Sequence, residues 1–106
     1  MRWLRNERNS IRLLFESIER EDLPQLKHIL RTYEFHPQTT HNEFGENTLQ
    51  YACYFYNKSI IQYLLEQGAD PYQSTQKCNM PPWKIALDTD NRELYVMLVG
   101  HEFKAI

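Results

Sequence analysis

Residues 45–70 read Gly45-Glu-Asn-Thr-Leu49-Gln-Tyr-Ala52-Cys53-Tyr-Phe-Tyr-Asn57-Lys-Ser-Ile60-Ile61-Gln-Tyr-Leu64-Leu65-Glu-Gln-Gly68-Ala69-Asp70. Leu49, Ala52 and Cys53 recur at helical spacing, and so do Ile60, Ile61, Leu64 and Leu65. Tyr56-Asn57-Lys58 is a polar break between them, where Asn can close the first helix, and Gly68 is the expected left-handed stop of the second. The stretch therefore predicts two short helices joined by a tight turn. Such a pair cannot bury its apolar face alone, whereas stacked pairs share one continuous core.

The same spacing recurs on both sides. A shift of 34 residues puts Leu49 on Trp83, Ala52 on Ala86, Ile60 on Leu94, Ile61 on Tyr95, Leu64 on Leu98 and Leu65 on Val99. A shift of 35 the other way puts Leu49 on Leu14, Ala52 on Ser17, Ile61 on Leu26, Leu64 on Ile29 and Leu65 on Leu30. Nearly every matched site keeps its apolar character, which implies three copies of one unit. The first copy is expected to hold helices over 11–18 and 23–30, with Asp22 as N-cap and Pro24 in the first turn. In the third, Pro82 opens one helix, 94–99 forms the next, and Gly100 ends it before a short tail over 101–106. The connections over 33–46 and 69–81 are polar, carry Gly, Pro and Asn, and read as loops, not strands.

The middle copy resembles the ankyrin repeat, whose unit runs G-x-T-P-L-H-x-A and later I-V-x-x-L-L-x-x-G-A-D. Gly45, Leu49, Ala52, Ile60, Leu64, Leu65, Gly68, Ala69 and Asp70 carry the match. The third copy keeps Pro82, Ala86 and an apolar Trp83, and the first looks like a divergent N-terminal cap. The resemblance covers about residues 10–100 and implies an all-α stack of helix-turn-helix repeats with extended, hairpin-like loop tips. On this reading the chain is one domain: a capping helix and divergent repeat over 1–38, a central repeat over 42–75, and a capping repeat with its tail over 76–106. Gly45 suits a positive φ at a tip, and Asn79 is the next best residue at the matching place. The family's Thr slot holds Asn47 and Pro81, and its His slot holds Gln50 and Lys84. The hydrogen bonds that Thr and His usually make between repeats must change accordingly: Gln50 can replace part of them, whereas Lys84 cannot accept.

Repeats of this kind usually bind other proteins through loop tips and the first helix of each pair. In this sequence those places are Glu43, Phe44 and Glu46 at the first tip and Lys77, Cys78 and Met80 at the second. On the helices they are Glu19 and Arg20, then Tyr54, Phe55 and Tyr56, then Asp88 and Thr89. Successive helical residues lie about 100° apart, so three aromatics in a row cannot all enter the core. Exposed aromatics suit an interface; packing against the flanking copies is the alternative. The rim of Glu19, Glu43, Glu46, Asp88 and Asp90 favours a basic partner surface.

The expected function is therefore a non-catalytic protein-binding module, in its sharper form an inhibitor or immunity-type protein that blocks a toxin or enzyme. A second class rests on Arg2, Arg5, Arg8 and Arg12. Residues 1–12 carry four Arg against one Glu, a stripe able to bind phosphates in a nucleic acid or an anionic surface. A host-directed secreted effector and self-association through Leu94, Tyr95, Met97, Leu98 and Val99 are further alternatives. Trp3 and Leu4 are expected to staple the N-terminal helix onto the first repeat, and Phe103 to cover the last helix pair.

Composition agrees. The 106 residues are 42% hydrophobic and 25% charged, with net charge −2, which suits a soluble domain and disfavours strong nucleic-acid binding. No nucleophile–base arrangement, glycine-rich phosphate loop or metal-ligand spacing is present in the sequence, so no enzyme activity, small-molecule substrate, metal or cofactor is expected. Cys53 and Cys78 are expected as free thiols. The absence of a signal peptide or membrane span makes the cytoplasm the expected location.

Overall fold

In the computed structural model the backbone is described for residues 2–105 and the side chains for residues 8–100. Among the described residues the chain is all-helical: α1 (Arg2–Glu19), α2 (Leu23–Thr32), α3 (Thr48–Phe55), α4 (Lys58–Glu66), α5 (Pro82–Asp88) and α6 (Arg92–Ala105). α1 packs on α2, α3 on α4, and α5 on α6. The pairs are joined because α1 also packs on α3, α3 on α5, and α4 on α6.

The turn inside each pair is built the same way three times. Glu21, Tyr56 and Asp90 take left-handed φ values of 55°, 53° and 54°. Their N–H groups donate to Ile18, Cys53 and Leu87 carbonyls. The next N–H groups, of Asp22, Asn57 and Asn91, reach back to Ser17, Ala52 and Ala86, and the carbonyls of the same three accept from Leu26, Ile61 and Tyr95. Those residues are the ones that the 34- and 35-residue shifts superpose. The left-handed position belongs to Tyr56, not to Asn57, which instead opens α4 as its N-cap. A non-glycine residue there costs roughly 1–2 kcal/mol, which the packed helices on either side must offset.

Local signals explain the other ends. Asp22 accepts from the Gln25 N–H at 3.1 Å, and Pro24 sits in the first turn of α2. Asn47 and Gln50 form a reciprocal capping box on α3. Gly68 ends α4 at φ 93°. Gly100 does not end α6, which continues to Ala105. Nothing stands within 4 Å of a Cβ built there, so neither space nor a left-handed φ demands glycine. At the N-terminus the expected capping helix and first-repeat helix are one 18-residue helix. The side chains of Arg2, Trp3, Leu4, Arg5 and Phe103 lie outside the described ones.

One core runs through the stack. Leu14, Ile18, Leu26, Leu49, Ile60, Ile61, Leu64, Ile85, Leu94 and Leu98 are fully or almost fully buried. Ala52 and Ala86 are buried too. Polar side chains stitch the copies together. The Asn57 amide donates to the Ile18 carbonyl, and Thr48 Oγ1 donates to Pro37 O at 3.0 Å. Gln50, with no exposed surface, donates through Nε2 to Cys78 O at 3.1 Å and Met80 O at 2.8 Å. Gln50 thus links the central pair to the loop of the next copy.

Candidate functional site: the groove beside the loop tips

The first connection lies beside α1 and α3, and the second is bonded to α3 through Gln50. The first turns back on itself at 42–46. Asn42 N–H donates to Glu46 O at 2.9 Å, Gly45 N–H donates to Asn42 O at 3.0 Å, and an isolated antiparallel bridge joins His41 to Asn47. The second closes at 75–78, where Thr75 N–H donates to Cys78 O at 3.0 Å. The tips touch: Thr75 Oγ1 donates to Gly45 O at 2.5 Å. A Cβ on Gly45 would stand 2.3 Å from Lys77 Cβ, and its φ is 81°, so both space and backbone demand glycine. Asn79, at the matching place, does not take a positive φ.

Between α1 and the first tip lies a groove of about 550 Å³. One wall is the face of α1 that carries Arg8, Ile11, Arg12, Phe15, Glu16 and Glu19. The opposite wall is His41, Asn42, Glu43 and Phe44, and Tyr51 of α3 closes the end. Tyr51 meets Phe15 edge-on at 5.3 Å between ring centres and Phe55 at 5.0 Å. Its hydroxyl donates to Glu19 Oε2 at 2.6 Å. Burial, then the Glu19 bond and charge, then the charge of Glu46, push the Tyr51 hydroxyl up to about 12.

The expected contact residues divide in this frame. Glu19, Glu43 and Phe44 line the groove, Phe44 with 69% of its surface exposed. Tyr54 and Phe55 are exposed by 47% and 46%. Burial first, then Cys78, Glu46 and Asp88, raise the Tyr54 pKa, which sets that ring beside the second tip and the end of α5. Glu46 is half-buried and accepts from the Asn42 amide at 2.9 Å, so it also holds the turn. Lys77 is exposed at the second tip. Arg20 is exposed, 3.9 Å from Glu16, and Asp88 and Thr89 are exposed at the end of α5.

Tyr56 and Met80 stand apart from the exposed set. Tyr56 is half-buried, with Lys58 Nζ 5.5 Å from its ring centre, near the Lys58–Glu93 ion pair of 2.5 Å between α4 and α6. Met80 packs against the core and offers its carbonyl to Gln50. The sequence reasoning passed over Phe15, Tyr51, Ile11, His41 and Asn42. The i, i+4 spacing of Tyr51 with Phe55 was the available signal, because it puts both rings on one side of α3. The arginine stripe, expected from the sequence to be a separate surface, contributes Arg8 and Arg12 to the same groove.

At the far end, Leu94 and Leu98 are buried, Tyr95 and Met97 pack against the core, and Leu87 and Val96 are exposed. Both cysteines are free, Cys53 buried and Cys78 half-buried. Among the described residues no cluster of His, Cys, Asp and Glu could hold a metal ion, and no helix is long and apolar enough to cross a membrane. No family model, no curated protein and no solved structure matches this chain.

Proposed function

We propose that this chain is a non-catalytic, ankyrin-type protein-binding module that grips a partner along the groove and the adjoining aromatic face. The observation that carries the reading is the exposure of three aromatics, Phe44 in the groove, Phe55 against Tyr51 at the groove, and Tyr54 toward the second tip, with the tips tied to each other by Thr75 and to α3 by Gln50. Large aromatics on a preformed surface are typical binding anchors, since they lose little freedom on binding. The threefold turn at Glu21, Tyr56 and Asp90 supports the ankyrin-type part of the reading. Blocking a toxin or enzyme is one form such binding takes. Two free thiols suit a reducing compartment such as the cytoplasm. Glu16, Glu19 and Glu43 share the groove with the arginines and would repel a polyanion, which favours protein over nucleic acid.

Affinity capture from lysate of the source tests this. The wild-type chain is compared with a Tyr54→Asp/Phe55→Asp variant that circular dichroism shows to be folded. A stoichiometric partner lost with the variant is the expected result. A partner retained at equal yield rules out the aromatic face.

A further inference from the structure

The groove orders its charges along one helix. Arg8, Arg12, Glu16 and Glu19 follow at steps of three or four residues, with Ile11 and Phe15 between them, all on the face of α1 that lines the groove. At 1.5 Å per residue the stretch from 8 to 19 covers about 16 Å. Its N-terminal end is cationic, its middle apolar and its C-terminal end anionic. Glu43 adds a second carboxylate wall and Phe44 a second apolar one. Neither arginine pairs with a carboxylate among the described residues; Arg12 donates to Asn9 Oδ1 at 2.7 Å. Among the described residues both guanidinium groups therefore keep donors for a ligand. At the other end, Glu19 accepts, among the described residues, a neutral hydroxyl, and Arg20 stands 3.9 Å from Glu16 with its own side chain largely exposed.

An extended chain advances about 3.3 Å per residue, so some five residues fit the length of the face. From this we infer that the groove takes an extended segment of a partner protein with mixed charge. An Asp or Glu side chain lies toward Arg8 and Arg12, an aromatic or large aliphatic side chain lies between Ile11, Phe15 and Phe44, and a Lys or Arg lies toward Glu16, Glu19 and Glu43. The inference rests on the protein-binding reading and narrows it. A wholly acidic segment would meet the carboxylates, and a wholly basic one the guanidinium groups. Only the mixed order satisfies both ends, and each mismatched end also acts against the wrong partner.

Labelled synthetic peptides test the inference by fluorescence anisotropy. Each carries one central Phe flanked by Gly and Ser, and the ends are Glu and Lys, Glu and Glu, or Lys and Lys. An extended peptide can lie in either direction, so end composition, not end order, is the variable. The mixed peptide is expected to bind about ten-fold tighter than either uniform one, with the gap narrowing between roughly 50 and 200 mM salt. An Arg8→Glu/Arg12→Glu variant, altered only at exposed sites, is expected to shift its preference to the Lys and Lys peptide by a similar factor. Equal affinities within about two-fold, a preference unmoved by that variant, or no binding of any peptide near 1 mM would overturn the inference. If lysate capture then still depends on Tyr54 and Phe55, the segment chemistry is wrong and the protein-binding reading stands. Failure of both experiments removes both.

Discussion

Replacing Gln50 with Ala should remove more stability than any exposed polar substitution in the chain. The Gln50 side chain is fully buried and makes three hydrogen bonds. It accepts from the Asn47 N–H at 2.8 Å and donates to Cys78 O at 3.1 Å and Met80 O at 2.8 Å. Each such bond contributes about 1 kcal/mol net, and the abandoned partners are costly where water cannot reach them. Cys78 O keeps the Thr75 N–H at 3.0 Å, so the Met80 carbonyl and the Asn47 N–H suffer most. The sum is about 3 kcal/mol, with a further contribution from the void left by the shortened side chain. A domain of this size is stable by only about 5–15 kcal/mol. With a urea dependence near 1.5 kcal/mol/M, the midpoint should fall by about 2 M. Gln62→Ala, exposed on α4, is the control and should change stability by less than about 0.5 kcal/mol. Gln50→Glu should be at least as damaging as Gln50→Ala, because it keeps the acceptor but sets a carboxylate against two carbonyls. A loss below about 1 kcal/mol for Gln50→Ala, by urea unfolding, would refute the bridging role.

Three further outcomes follow from the geometry. Gly68→Ala should destabilise by about 1 kcal/mol because φ is 93°, whereas Gly100→Ala should stabilise by about 0.5–1 kcal/mol because that glycine is inside α6 with open space around it; thermal melts with opposite signs check both. The Tyr51 hydroxyl, pushed up to about 12 from 10.0, should ionise late in an absorbance titration of wild type against Tyr51→Phe. The native state then holds the proton longer than the unfolded chain, so this contribution to stability is intact below pH 10 and is lost as pH rises toward 12; Tyr51→Phe should lack that loss. Cys78 should react first with iodoacetamide. Cys53, buried and with its thiol pKa raised by that burial, should react only on unfolding, as peptide mapping by mass spectrometry would show.

Periodicity made the helices legible. Apolar residues recurring at most matched positions of a 34- or 35-residue shift are a statement about which faces meet, and those faces became the core from Leu14 to Leu98. The Asp22 cap was legible for a local reason, since it needs only its own next turn; the Asn47–Gln50 capping box is as local, but the sequence reading took Asn47 only as a departure in the Thr slot. The left-handed turn residue was not, because propensity favours Asn and the backbone put Tyr56 there, held by the flanking helices. Gly100 misled for the converse reason: glycine permits a stop but does not impose one.

The site was only partly legible. Tyr54 and Phe55 emerged from a crowding argument that local geometry obeys, and both are exposed. The groove depends on α1 lying beside a loop more than twenty residues later in the chain, which no local pattern reports. Phe15 and Arg12 share it only because the 42–46 turn folds back over that face. Gln50, at the slot where the ankyrin repeat that the sequence resembles carries His, proved to be the link between α3 and the second loop.

Site-specific photo-crosslinking tests the central claim most directly. A benzophenone amino acid is placed in turn at Phe44, Tyr54 and Val96, all exposed, the last on α6 away from the groove. After irradiation in source lysate, adducts are identified by mass spectrometry. The account expects one shared protein adduct from positions 44 and 54, and none of it from 96. The same adduct from all three positions in equal yield, or from 96 alone, would contradict it.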